Sequence, residues 1–305
     1  MLAPVSIDKL LFLSGGLQQS TDGQGDTLVL SVHIGDLDLH VLTFGQNTHR
    51  EQSRQAVVAL SSIYMRTAPD YESALETQEL MGTVVEIVGE SGYWREIVSP
   101  QPYKAWTTEK TLVEMSEQQI KEYEAAPKYM FTELYGHVYM EPSEKAQTIC
   151  DLVGGDLLRL AGICTYDEKM LKKALKGKWT NVMLPSGKTG FVPSKQLKIH
   201  NGFRSIAMGE GSQDSISPET TEAIIAQAEM LLGVPYLWGG MSAKGVDCSG
   251  LVRISCIMNG VLLPRNASQQ IRCGKPVEVN ADPAFWNEEA RKDKEAFVRE
   301  MKKRT

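Results

Sequence analysis

The feature that most constrains this 305-residue chain is an internal repeat over about residues 57–200. A repeated pattern outranks local propensity, because both copies must satisfy one architecture. "SSIYMRTAP" answers "GHVYMEPSE", setting Tyr64 against Tyr139. "ETQELMGTVVEIV" answers "QTICDLVGGDLLRL", and "YWREIVSPQPYKAWTTEKTL" answers "KWTNVMLPSGKTGFVPSKQL", so Trp94 matches Trp179 and Trp106 matches Phe191. The second copy carries a charged insertion, "TYDEKMLKKALKGK". Each unit holds about four or five short strands broken by Gly and Pro turns, which predicts a small β-barrel that hides its sheet edges by closing. The tryptophan late in each unit is expected in the barrel core.

These units resemble bacterial SH3-like domains, which accompany cell-wall hydrolases. The boundaries are residues 57–115 for the first barrel, 116–128 for a connecting helix stopped by Pro127, and 129–200 for the second barrel. A Gly/Ser-rich linker at 201–217 leads to a final domain at 218–305. Residues 1–56 are β-rich and unassigned, with two strands expected around Ile34-Gly35-Asp36.

The final domain opens on a strong helix start. Ser217 suits the N-cap, Pro218 the first helical position and Glu219 the first turn. Ile224, Ile225, Ala228, Leu231 and Leu232 form one stripe, and Gly233 suits the left-handed residue that ends the helix. Gly239, Gly240 and Gly245 then keep the backbone turning until Asp247, a natural N-cap for a helix running to Gly260. Cys248 falls in the first turn, where unpaired N–H groups and the helix dipole favour an anion. Thiols so placed titrate below the free value of about 8.5, and the same N–H groups suit an oxyanion. The plainer alternative is that Cys248 packs the helix start. The five cysteines are irregularly spaced and suit neither a disulfide framework nor zinc, and Cys256 and Cys273 are expected to be buried.

"PYLWGG", "DCSGLV" and "LLPRNASQQ" resemble, in order and spacing, the NlpC/P60 cysteine peptidases over about residues 218–279. These are papain-like enzymes that cut γ-D-glutamyl bonds in peptidoglycan peptides. With tandem SH3-like units ahead, the chain resembles the γ-D-glutamyl-L-diamino acid endopeptidases of cell-wall recycling. The resemblance implies an α+β protein with Cys248 as nucleophile and with Tyr236 positioning the thiolate or oxyanion through its hydroxyl. It implies that Asp247 and Ser249 line the site, Asp247 receiving the free amine of an N-terminal L-Ala, and that Trp238 and Ser268 complete the wall. For Trp238 a packing role stands beside that one. The first barrel is implied to close the pocket with an acid and a tyrosine. Glu76, Glu79 and Tyr103 are the candidates, with exposed strand positions as the alternative for each. Muropeptides derived from peptidoglycan are the implied partners, and no metal or cofactor is implied.

The peptidase pattern departs at one point. His33, His40, His49, His137 and His200 all precede Cys248, whereas a thiolate peptidase needs an imidazole oriented by a third polar group. After "KPVEV", which offers one strand, "DPAFWNEEARKDKEAFVREMKKRT" predicts a charged helix carrying Phe285, Trp286, Phe297, Val298 and Met301. The domain therefore looks incomplete. An active peptidase cut before its histidine strand, a non-catalytic binder of wall peptides, and a site completed by another chain all remain open. The net charge of -6 and pI near 5.5 argue against nucleic acid as a partner. No apolar run approaches the roughly 20 residues of a membrane span. The N-terminus lacks a basic leader region, so the expected compartment is the cytoplasm, or the periplasm or envelope if the true start lies upstream. Oligomeric state is not legible.

Overall fold

The computed structural model describes residues 54–162, 167–206 and 216–274, together with three strands before residue 54. The chain divides into two compact units, Met1–Ser53 and Arg54–Thr305. In the first, β1 (Gln18–Ser20), β2 (Val29–Ile34) and β3 (Leu37–Val41) form an antiparallel sheet in that order. β2 and β3 are the strands expected around Ile34-Gly35-Asp36, with Ile34 opposite Leu37.

The second unit opens with β4 (Arg54–Val58), β5 (Ser62–Arg66), β6 (Leu75–Leu80), β7 (Val84–Ser91), β8 (Trp94–Ser99), β9 (Tyr103–Thr108) and β10 (Leu112–Met115). They form one antiparallel sheet in the order β10-β4-β7-β8-β9-β5-β6. Its inward side chains, among them Ala56, Ile63, Met65, Val85, Ile97 and Leu112, meet in a single core, as a curled sheet requires. The second sheet comprises β11 (Lys128–Phe131), β12 (Tyr135–Tyr139), β13 (Thr148–Val153), β14 (Leu157–Leu160), β15 (Trp179–Met183), β16 (Thr189–Pro193) and β17 (Leu197–His200). Read from the β17 end its order is β17-β11-β14-β15-β16-β12-β13, the same topology strand for strand.

The repeat is therefore structural, with one register difference. Trp94 and Trp179 open equivalent strands. Arg66 pairs with Trp106 where Tyr139 pairs with Phe191, so Trp106 and Phe191 do correspond. Tyr139, however, matches Arg66 rather than Tyr64. A slip of two residues keeps every side chain on its face, which is why the pattern alone could not expose it. Trp94 is buried but lies beneath Tyr71 and Tyr93 rather than in the apolar cluster, and Trp179 is half-buried, edge-on to Tyr139 at 5.5 Å.

Between the barrels runs α1 (Glu117–Ala125), started by a Ser116–Gln119 capping box. The charged insertion forms α2 (Glu168–Ala174), whose Leu171 enters the second barrel's core. That core also receives Met81 from the first barrel. The linker contributes β18 (Arg204–Ser205). It is followed by α3 (Pro218–Met230), β19 (Met241–Ser242), β20 (Gly245–Val246), α4 (Cys248–Ile257), β21 (Val261–Leu262) and α5 (Ala267–Gln270). β18 pairs in parallel with β21.

Ser217 caps α3 through the Thr220 amide, and Gly233 takes φ +90°. Of the expected α3 stripe, Leu231 is buried and Ile224 partly so, while Ile225 and Leu232 are exposed. A joint core then binds the three modules: Leu80 from the first barrel, Val153 from the second, and Met241, Ile254, Ile257 and Leu262 from the last. The "KPVEV" strand and the helix carrying Phe285 to Met301 lie outside the described residues.

Candidate active site

Cys248 is the first residue of α4 and is exposed. The other described cysteines differ. Burial pushes the Cys150 thiol up to about 12 and the Cys256 thiol up to about 11, and it raises that of the half-buried Cys273. Asp247 caps the helix by accepting from the Gly250 amide at 2.7 Å, so the Cys248 and Ser249 amides are the first-turn donors that the cap does not use. The helix start is pressed against the preceding loop. A Cβ on Gly250 would lie 2.0 Å from the Gly240 carbonyl oxygen, and one on Gly239 would lie 2.8 Å from that of Leu75. The glycines around Cys248 thus permit a backbone crossing that no other residue fits.

The Asp247 carboxylate is the centre of this crossing. Oδ1 accepts from Gly250 N, Ser249 Oγ at 3.2 Å and Arg265 at 3.2 Å. Oδ2 accepts from Gly239 N at 2.9 Å and Arg265 at 2.6 Å. Burial works to raise its pKa, but the Arg265 guanidinium and the two backbone amides outweigh it and hold the carboxyl below its ordinary range. Five donors saturate its roughly four lone-pair positions. A substrate amine at Asp247, as the resemblance implies, would share the carboxylate with these five donors. Ser249 is likewise buried and bonded, donating to Asp247 and accepting from Arg265 at 2.8 Å.

Arg265 and Gln270, both within the "LLPRNASQQ" stretch, join this site although no local signal in the sequence marks them. Arg265 also donates from Nε to Thr77 Oγ1 of the first barrel at 2.7 Å. Gln270 Nε2 donates to the Ser249 carbonyl at 3.0 Å, tying α5 to the cysteine turn.

Strand β6 of the first barrel is the edge on which the cysteine domain docks. Gln78 Oε1 accepts from Met241 N at 2.7 Å and from Ser242 Oγ at 3.0 Å. The three barrel candidates separate here. Glu79 is buried in an ion pair with Arg253 of α4 and is a docking residue. Glu76 and Tyr103 are half-buried, and the Tyr103 hydroxyl donates to Glu76 Oε1 at 2.7 Å. Burial first, then the bond to Glu76 and its charge, push the Tyr103 phenol up to about 12. Arg265 and Asn266 act on the same hydroxyl, so this acid–tyrosine pair sits beside the segment that braces the cysteine helix.

Tyr236 forms a bridge with Val246 and is 66% exposed, Trp238 is 71% exposed, and Ser268 is exposed on α5. The exposure of Trp238 argues against a packing role within the described residues. Of the histidines in the second unit, His137 stands edge-on to Tyr139 at 6.0 Å. His200 lines a cavity of about 900 Å³ with Lys128, Phe203, Arg253 and Ile257, and Cys248 is not among its lining residues. Burial and the charges of Lys128 and Lys198 push His200 down to about 4.

Residues 233–301 match the NlpC/P60 family. A gamma-D-glutamyl-L-lysine dipeptidyl-peptidase of Bacillus cereus is 27% identical over 212 residues, 67% of this chain and 56% of the relative. Its counterpart in Bacillus subtilis is 38% identical over 79 residues, 26% of this chain and 27% of the relative. The chain thus spans about half the length of the first of these relatives and about a quarter of the second. The crystal structure of an NlpC/P60 family protein from Bacillus cereus superposes with a TM-score of 0.56 at 23% identity, covering 73% of this chain and 78% of that one. This likeness establishes the fold: two seven-stranded antiparallel sheets followed by an α+β domain.

Proposed function

With an NlpC/P60 domain at residues 233–301 as the premise, we propose that the protein is a cysteine peptidase of peptidoglycan-derived peptides. It hydrolyses the bond between γ-D-glutamate and a diamino acid in peptides whose N-terminal L-Ala is unblocked. The observation that carries this reading is the exposed Cys248 thiol on a capped helix N-terminus, with the Glu76–Tyr103 pair beside its bracing segment. The thiolate attacks the γ-carbonyl carbon, and the Cys248 and Ser249 amides receive the oxyanion, with the Tyr236 hydroxyl assisting. The C–N bond breaks as its nitrogen takes up the proton lost by the Cys248 thiol, the diamino acid departs as the amine, and water then releases the acyl group from sulfur as the carboxylic acid and restores the thiol. Trp238 and Ser268 form the outer wall, and Glu76 receives the peptide's free ammonium, since a half-buried carboxylate selects an unblocked amine.

Proton transfer in both steps calls for an imidazole, and residues 249–305 contain no histidine. Taken by themselves, these 305 residues also fit a second reading, in which they bind wall peptides without cutting them. One experiment separates the two. L-Ala-γ-D-Glu-diamino acid tripeptide and its N-acetyl derivative are incubated with the protein, with binding followed by calorimetry and free diamino acid by mass spectrometry. Release from the unblocked peptide alone supports the peptidase. Binding without release supports the binder, and neither binding nor release overturns both.

A further inference from the structure

The geometry points to Arg265 as a positioning residue that sets the reactivity of Cys248 by transmitting the docking of the first barrel to the cap of the cysteine helix. The inference rests on Cys248 being the nucleophile. Arg265 is 2% exposed and its guanidinium is divided among three partners. Nε is held by Thr77 on β6, a residue that is itself fully buried. The two terminal nitrogens grip the two oxygens of Asp247, and one of them also reaches Ser249 Oγ. Those two residues flank Cys248 in sequence. A planar fork with Nε anchored to another module can reach both carboxylate oxygens in one orientation only, which a lysine could not reproduce.

The consequence is electrostatic as well as steric. Asp247 places a negative charge next to the thiol, and an adjacent anion opposes thiolate formation. Paired with Arg265, the carboxylate can cap the helix while its charge is offset. Among the described residues, the charged and titratable groups about this helix end include Asp247 on the cap, Arg265 on the segment before α5 and Tyr236, whose backbone bridges Val246, with Glu76 and Tyr103 of the first barrel beside Arg265. Without Arg265 the cap would keep its bond to Gly250 but leave its charge uncompensated beside Cys248.

The test is the pH profile of Cys248 alkylation by iodoacetamide, read by mass spectrometry on the Cys248 peptide, in the full chain and three variants. Arg265→Gln is expected to move the alkylation profile to higher pH and to slow the reaction at pH 7 by about tenfold. Thr77→Val, which removes only the Nε anchor, is expected to shift it in the same direction by less. Lys244→Met removes a contact with Asp151 of the second barrel and is expected to leave the midpoint unmoved. A residue that merely holds the fold together would lower stability without moving the midpoint. An unmoved midpoint in Arg265→Gln, with the fold intact by circular dichroism, overturns the proposal. If that variant does not fold, an unmoved Thr77→Val midpoint overturns it equally. Alkylation needs no substrate, so a shifted midpoint with no tripeptide cleavage would uphold the positioning role while the peptidase reading fails.

Discussion

Glu79 of the first barrel and Arg253 of the cysteine helix form an ion pair at 3.3 Å with side chains 3% and 1% exposed. Arg253 also donates to the Pro100 carbonyl of the same barrel at 3.3 Å. A pair this deeply buried is costly to break from one side, because the surviving charge is stranded. Glu79→Ala or Arg253→Ala alone is expected to lower unfolding free energy by about 3–5 kcal/mol. Glu79→Leu with Arg253→Met together should lose much less. Urea unfolding of the three variants against the parent measures the difference.

Gly250 and Gly187 are both glycines whose replacement should cost stability, for different reasons. Gly187 has φ +83° in open space, so Gly187→Ala is expected to cost roughly 1–2 kcal/mol from backbone strain alone. Gly250→Ala drives a methyl into the Gly240 carbonyl oxygen at 2.0 Å. Its cost should reach or exceed the upper end of the roughly 1–3 kcal/mol overpacking range. Gly250→Ala should also change the alkylation rate of Cys248, while Gly187→Ala should not. Thermal melts and alkylation kinetics on the same samples test both statements.

Asp156 is completely buried where the barrels meet, and its oxygens accept from Met81 N of the first barrel at 3.1 Å and from Val153 N at 2.9 Å. Burial outweighs those two amides and pushes the carboxyl well above its usual range. A raised carboxyl pKa means that its stabilising contribution is fully present below the unfolded value of about 3.9 and is lost as pH climbs toward the folded value. Asp156→Asn is expected to flatten that part of the stability profile. Urea midpoints at pH 4.5 and pH 7.5 should lie closer together in the variant than in the parent, and an equal spacing would count against it.

Glu76 and Tyr103 should act together on a peptide's free amine. Glu76→Gln is expected to weaken binding of the unblocked tripeptide at least about tenfold, near 1.4 kcal/mol, and to leave the N-acetyl peptide unaffected. Tyr103→Phe should cause a smaller loss, because the carboxylate keeps its charge but not its orientation. The phenol itself should ionise only near pH 12, followed by ultraviolet absorbance against the Tyr103→Phe variant.

Much of this molecule is legible in its sequence because the signals are local. Ser217 with Pro218, and Asp247 ahead of Cys248, announce helix starts through bonds spanning two or three residues. The twin barrels are legible because the chain states the same strand pattern twice. Short-range hydrogen bonding, side-chain alternation and turn sterics leave marks within a few residues, and the position of the exposed thiol follows from them. What the tertiary structure alone decided is what surrounds that thiol. Thr77 meets Arg265 across 188 residues of sequence, and Glu79 meets Arg253 across 174. Nothing near either residue in sequence distinguishes Glu79, a buried docking ion, from Glu76, a half-buried carboxylate that accepts from Tyr103. That distinction arises only when β6 is laid against the cysteine domain, because burial, not residue type, determines whether a carboxylate holds modules together or remains available to a ligand.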